Sequence, residues 1–260
     1  MPATEHSVMC AGGIDDEFET FKRLITEVYP KGFVSIVSDT WDLWKVVTDY
    51  LPRLKNEILA RDGRLVVRPD SGNPVDIICG YTKDELNELS FEEAATPEAK
   101  GVYQLLWETF GGTINEKGYK VLDAHIGVIY GDSITIERQR EIYKRLEEKG
   151  FAATNLVLGI GSYTYQYRTR DSLGFAMKAT WCQINGEPKE IFKQPKTDSG
   201  MKNSLKGLIQ VLKDENGKYY AKDGVSRYDE SYGCLKTVFW NGKLYNETAL
   251  TEIRKRLCKR

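Results

Sequence analysis

The sequence predicts an α/β fold with parallel strands, a barrel or an open sheet, followed by an antiparallel β-rich C-terminal third. Three observations point there. Short apolar, β-branched runs alternate with helical patterns at a spacing of roughly 30 residues, the size of one βαβ unit. Four such runs pass directly into polar loops: 33–37 into Ser38-Asp39, 65–67 into Arg68-Pro69-Asp70-Ser71-Gly72-Asn73-Pro74, Ile126–Tyr130 into Gly131-Asp132, and Leu156–Leu158 into Gly159-Ile160-Gly161-Ser162. Beyond Arg170 the pairs Asn185-Gly186, Asn216-Gly217 and Asn241-Gly242 are hairpin signals.

Taken in order, Phe18, Phe21, Ile25 and Val28 fall three and four apart and place an apolar stripe on a helix over 15–29. The polar stretch 81–100 reads as a surface insertion with an extra helix, because the interval between Asp70 and Asp132 is about twice one βαβ unit. A charged helix is predicted over 135–149, closed by Gly150. A strand is expected within 176–184 and a closing helix over 249–257. The change of texture divides the chain into an α/β part, 1–175, and a β-rich part, 176–260.

A chain of 260 residues with 41% hydrophobic content can bury a sizeable core. Its net charge of -1 excludes a general field for polyanions, so any phosphate site must be local. The opening Met1-Pro2-Ala3-Thr4-Glu5-His6 has no basic-then-apolar signal pattern, and a cytosolic location is expected. The five cysteines (Cys10, Cys79, Cys182, Cys234, Cys258) are scattered without C-x-x-C spacing, which fits reduced thiols.

In parallel α/β architectures ligands bind beyond the C-terminal ends of the strands, and all four polar clusters follow strands. An isolated aspartate there commonly caps a helix and an isolated glycine commonly makes a turn. Four clusters together indicate that Asp39, Arg68, Asp70, Asp132 and the Gly159-x-Gly161 turn come onto one face, with the Ser71 hydroxyl in the richest of the four loops. Arg68 offers a bidentate fork for phosphate oxygens, while Asp70 can accept from sugar hydroxyls or face a magnesium-bound diphosphate. A plain Arg68 to Asp70 salt bridge is the structural alternative. Gly159-x-Gly161 lets backbone N–H groups approach an anion. Thr164 breaks the G-x-G-x-x-G fingerprint and no G-x-x-x-x-G-K-[ST] loop occurs, which disfavours dinucleotide oxidoreductases and P-loop enzymes. Arg168, Arg170, Lys178 and Lys193 supply cations for a monophosphate. His6, six residues from the start, reads by default as a tail residue.

Pro2-Ala3-Thr4-Glu5-His6-Ser7, Ser38-Asp39, Arg68 to Pro74, Gly131-Asp132, Gly159 to Ser162, Thr169-Arg170-Asp171 and Ile191-Phe192-Lys193 resemble, in order and spacing, the C-terminal half of the nicotinamide phosphoribosyltransferases, a type II phosphoribosyltransferase family. The resemblance covers nearly the whole chain. It implies an irregular parallel α/β barrel, incomplete within this chain, with a β-rich domain. It implies 5-phosphoribosyl 1-diphosphate and nicotinamide as substrates, magnesium carried with the diphosphate near Asp39 and Asp70, and a homodimer or a complementing N-terminal chain. His6 corresponds to the family histidine near the diphosphate, phosphorylated when ATP hydrolysis is coupled. Asp39 and Asp70 are implied around the ribose and metal-diphosphate, and Arg68 against both substrate halves. Gly131, Asp132, Gly161 and Ser162 are implied along the ribose phosphate, with Arg170, Lys178 and Lys193 reaching it from the partner subunit. Nicotinate phosphoribosyltransferases share this architecture, and a non-catalytic ribose-phosphate-binding fragment is the alternative of another class. Family members are about twice as long.

Overall fold

The computed structural model describes residues 1–131, 133–168, 171–173, 175, 177–194, 196 and 204–258. Asp132 and Arg170 lie outside the described residues, as does the side chain of Ser162. In chain order the strands are β1 Lys31–Val37, β2 Asp62–Arg68, β3 Gly112–Ile114, β4 Lys120–Leu122, β5 Ile126–Tyr130, β6 Leu156–Leu158, β7 Trp181–Ile184, β8 Glu187–Glu190, β9 Gln210–Lys213, β10 Tyr219–Lys222, β11 Phe239–Trp240 and β12 Lys243–Leu244.

β1, β2, β5 and β6 form one parallel sheet in that order, so each strand lies beside the next across a helical connection. Val34, Ile36, Val37, Leu65, Val67, Ile126 and Val128 are all buried. Such continuous apolar runs arise because helices cover a parallel sheet on both faces. The order is sequential with no reversal, and among the described residues the sheet does not close on itself. The expected barrel is therefore represented by an open four-stranded sheet. Pro2 to Thr4 run along β1 at its outer edge, with Thr4 N–H donating to Ser35 O and Ser35 N–H to Pro2 O, both 2.9 Å.

The helices show why their sequences stop where they do. Ile136–Glu148 begins at Thr135, whose hydroxyl accepts from the Arg138 N–H. It ends in a Schellman motif: Phe151 N–H donates to Leu146 O (2.8 Å), Gly150 N–H donates to Glu147 O (2.9 Å), and Gly150 has φ +75°. The helix predicted over 15–29 is Glu17–Arg23 continued as a π-helical turn, Leu24–Val28. Phe21 and Ile25 are buried, but Val28 is exposed because the widened turn rotates the stripe. The 81–100 insertion is three short helices, Lys83–Asn87, Phe91–Ala94 and Pro97–Lys100, the first two closed by capping boxes at Thr82 and Ser90. The following helix, Val102–Phe110, is core, and the β3–β4 hairpin after it has no counterpart among the sequence expectations.

In the C-terminal part the three Asn-Gly pairs each join a two-stranded antiparallel hairpin, β7–β8, β9–β10 and β11–β12. Asn185 and Gly186 have φ +53° and +90°, and Asn241 and Gly242 have +46° and +80°, as type I′ turns require. The strand expected over 176–184 starts only at Trp181. The closing helix is Leu250–Leu257. This part is attached through 191–196: Cys10 Sγ donates to Phe192 O (2.8 Å), Lys196 N–H to Trp41 O (2.9 Å) and Lys196 Nζ to Asp42 Oδ2 (2.6 Å).

Gly80 and Gly101 are packed against each other, and a Cβ on Gly101, which has φ +78°, would sit 2.2 Å from the Gly80 nitrogen. Gly101→Ala is expected to destabilise the chain by about 2 kcal/mol or more, seen as a lowered urea midpoint.

Candidate active site

Parallel register brings the strand ends to one edge. Val37 is opposite Arg68, Val67 opposite Val128, and Tyr130 opposite Leu158, so Asp39, Asp70, Gly131 and Gly159 all leave the sheet on the same side. Ser38 joins the first two loops: its N–H donates to Arg68 O (3.0 Å) and its hydroxyl accepts from Arg68 N–H (3.4 Å). Asp39, fully buried, accepts the Asp70 N–H on Oδ2 (3.0 Å). Its other oxygen, Oδ1, is buried without a hydrogen-bond partner and lies 4.0 Å from His6 Nε2.

His6 is not a tail residue. Its Nε2 is 3.3 Å from Asp70 Oδ2 and its Nδ1 is 3.2 Å from Thr40 Oγ1. The cause lies upstream, where the edge pairing of Pro2 to Thr4, reinforced by Val37 N–H donating to Thr4 Oγ1 (2.9 Å), delivers the chain to the C-terminal end of β1. Glu5 pairs with Arg68 at 3.5 Å, which leaves the Arg68 Nε buried without a hydrogen-bond partner. Ser71 is fully buried and its hydroxyl also has no hydrogen-bond partner.

The third and fourth loops join the same edge. A Cβ on Gly131 would lie 3.8 Å from both Arg68 Cδ and Asp70 Oδ1, so backbone there abuts the arginine and the carboxylate. Tyr130 Oη donates to Gly72 O (2.9 Å), and Gly159 N–H donates to Tyr130 O (2.8 Å). Gly161 has φ +61° and opens a short 3-10 turn, Gly161–Thr164. A cleft of about 270 Å³ adjoins His6 and is lined by Glu5, Cys10, Lys178, Phe192 and Lys193 among others. Lys178 and Lys193 line this cleft together with the chain's own His6.

Sequence reasoning missed three groups. Glu5 neighbours His6 in the motif, which was its one available signal. Thr40 became relevant only once His6 was placed. Glu17 is 1% exposed, and its Oε1 has no hydrogen-bond partner. Burial, with the nearby Asp42 and Asp39 charges adding to it and Lys45 opposing it, pushes the Glu17 carboxyl up to about 8. Burial likewise raises the Cys10 thiol to about 11, which makes it an inert packing group.

The class defined by this arrangement is a parallel α/β protein with a carboxylate, histidine and arginine cluster at the carboxyl edge of its sheet. Residues 1–242 match the nicotinate phosphoribosyltransferase family, and the chain belongs to that family. It is similar to the nicotinamide phosphoribosyltransferase of Acinetobacter baylyi, 52% identical over an alignment covering 100% of this chain and 51% of the relative. The Mycoplasma pneumoniae nicotinamide phosphoribosyltransferase is 42% identical, covering 80% of this chain and 46% of its own, and that of Xanthomonas campestris pv. campestris is 32% identical, covering 98% and 51%. The chain spans about half the length of the curated relatives it matches.

Because the folded carboxyl of Glu17 holds its proton to about pH 8 whereas an unfolded glutamate releases it near 4.5, the native state is favoured at low pH. That contribution is complete below about 4.5 and is lost as pH rises through about 8. Glu17→Gln is expected to flatten this dependence, gaining on the order of a few kcal/mol relative to the parent at pH 9. Denaturant titrations at pH 5 and pH 9 measure it.

Proposed function

We propose that this chain carries the phosphoribosyl-transfer site of a nicotinamide phosphoribosyltransferase, moving the phosphoribosyl group of 5-phosphoribosyl 1-diphosphate to nicotinamide and releasing diphosphate. The observation that carries this reading is the cluster of His6, Asp39, Arg68 and Asp70 at the carboxyl edge, against Gly131 and opening toward Lys178 and Lys193. A sugar bearing phosphate at one end and diphosphate at the other needs cations for two anions and carboxylates for the charge that grows on its ring. This edge supplies both. The sequential sheet is in keeping with an arc of the irregular barrel expected for the family.

The roles follow from chemistry. Arg68 is suited to the departing diphosphate, because its planar fork pairs with phosphate oxygens and retains its charge. Asp70 and Asp39 offset positive charge developing at the anomeric carbon as the bond to diphosphate breaks. Backbone N–H groups around Gly131 and Gly161, with Lys178 and Lys193, hold the 5-phosphate away from that centre. The attacking ring nitrogen belongs to the base, so positioning rather than a protein nucleophile supplies most of the remaining rate.

The donor set also fits magnesium. Among the described residues no group of three or more histidine, cysteine and acidic side chains forms a cage, yet Asp39 Oδ1 is buried without a hydrogen-bond partner beside Asp70. Magnesium ordinarily binds through one or two carboxylates plus substrate phosphates, and Asp39 with Asp70 would hold it so. When bound it would stabilise charge on the leaving diphosphate. His6, between Thr40 and Asp70, is the residue on which ATP coupling would act. The family description names nicotinate, so nicotinate is the second base to test.

Arg68→Ala is expected to lower mononucleotide formation by roughly 100-fold or more, with Arg68→Lys recovering little because the fork is lost. Chromatographic assay of mononucleotide from each base, with the chain alone and supplied with the half of the A. baylyi relative that it does not span, checks this. Full turnover by Arg68→Ala and Asp70→Ala would remove the assigned site. His6→Ala should abolish any stimulation by ATP while leaving uncoupled turnover measurable.

A further inference from the structure

Among the described residues four that are not glycine adopt a left-handed backbone, and three of them, Asn185, Asn241 and Asn246, are of the type that tolerates it. The fourth is Ser133, φ +61°, in the loop that leaves β5 through Gly131. This conformation is unfavourable for serine and persists only where the surroundings over-determine it.

The surroundings are specific. Arg138 Nη1 donates to Ser133 O (2.6 Å), and the next residue, the buried Ile134, donates its N–H to Gly159 O (3.2 Å). Arg138 stands third in helix Ile136–Glu148, and its own N–H donates to the Thr135 hydroxyl (3.2 Å). A cation in the first turn opposes the helix dipole, and three residues after a threonine cap is where glutamate or glutamine completes a capping box. Arginine forgoes both stabilising effects. Its half-buried side chain reaches back instead and grips the loop. At the start of that loop a Cβ on Gly131 would lie 3.8 Å from Arg68 Cδ and from Asp70 Oδ1. The loop is thus anchored at both ends, and the left-handed turn at Ser133 sets the path its backbone takes between them.

We propose that Arg138 is a positioning residue for a bound ribose phosphate: it holds Ser133 left-handed and thereby keeps the Gly131 backbone aligned against Arg68 and Asp70. The inference deepens the phosphoribosyl reading of this edge and rests on it. Because Arg138 acts through the loop and not on the ligand, Ser133→Gly, which removes the Cβ penalty at positive φ, makes the clamp dispensable.

Ribose 5-phosphate binding by the full chain is measured calorimetrically, together with hydrogen exchange of the Ile134 amide. Arg138→Met is expected to weaken binding by about 10-fold or more and to speed that exchange by about 10-fold, with little change in the urea midpoint. Arg138→Met combined with Ser133→Gly is expected to return both to within about 3-fold of the parent, a non-additivity that marks the two residues as one device. A merely structural arginine would leave the double variant as impaired as Arg138→Met, and a direct ligand contact would weaken binding without faster exchange. Either result overturns the proposal, as does undiminished binding by Arg138→Met. Should Arg138→Met not fold, Arg138→Lys, which keeps the charge and loses the fork, is held to the same criteria. If the parent chain binds no ribose 5-phosphate, the phosphoribosyl reading fails by itself and exchange alone decides the clamp: faster in Arg138→Met and restored in the double variant upholds it, and unchanged rates overturn it.

Discussion

The Asp70 N–H bonded to Asp39 Oδ2 is the contact on which the site depends, because it joins the loops after β1 and β2 through a carboxylate removed from water. A buried carboxylate with one oxygen satisfied and the other without a hydrogen-bond partner is costly. That second oxygen lies 4.0 Å from His6 Nε2. The hydrogen bond in turn depends on the β1–β2 register: a slip of one residue would reverse the facing of every side chain and move Asp39 away from Asp70. The neighbouring Ser38 bonds to Arg68 and the edge pairing of Pro2 to Thr4 hold that register at its functional end.

Several buried polar atoms without hydrogen-bond partners gather in the same region. Asp39, Ser71 and Arg68 each keep a buried polar atom without a hydrogen-bond partner, and Glu17 behind them is kept neutral by burial. Groups of this kind are expected where a charged ligand completes their bonding. The surrounding core is ordinary by comparison. Val34, Ile36, Leu65, Val67, Ile126 and Val128 pack between helices whose ends are tied by ion pairs such as Arg145 to Asp76 at 2.9 Å. A well-packed sheet thus carries a polar edge with unsatisfied groups.

The two halves of the chain are organised differently. The parallel sheet has its own core, while the hairpins of the C-terminal part bury little and reach the rest through the Cys10, Trp41 and Ile191 cluster and the backbone bonds of 191–196. That attachment brings Lys178 and Lys193 to His6.

Local order was legible in the letters. Apolar β-branched runs set β1, β2, β5 and β6, Asn-Gly pairs set three turns, and Thr135 with Gly150 set a helix's ends, because these depend on contacts within a few residues. The order of polar motifs at strand ends also indicated that the loops after β1 and β2 lie together and, by resemblance, pointed to the family. Less local features were not legible: the π-helical turn at Leu24–Val28, the β3–β4 hairpin, the pairing of Glu5 with Arg68 and the burial of Glu17. His6 is the clearest case, a tail residue by position whose partners lie 34 and 64 residues away. Only strand register and edge pairing bring such distant groups within 3.3 Å, and that information belongs to the packed sheet, not to the spacing of residues along the chain.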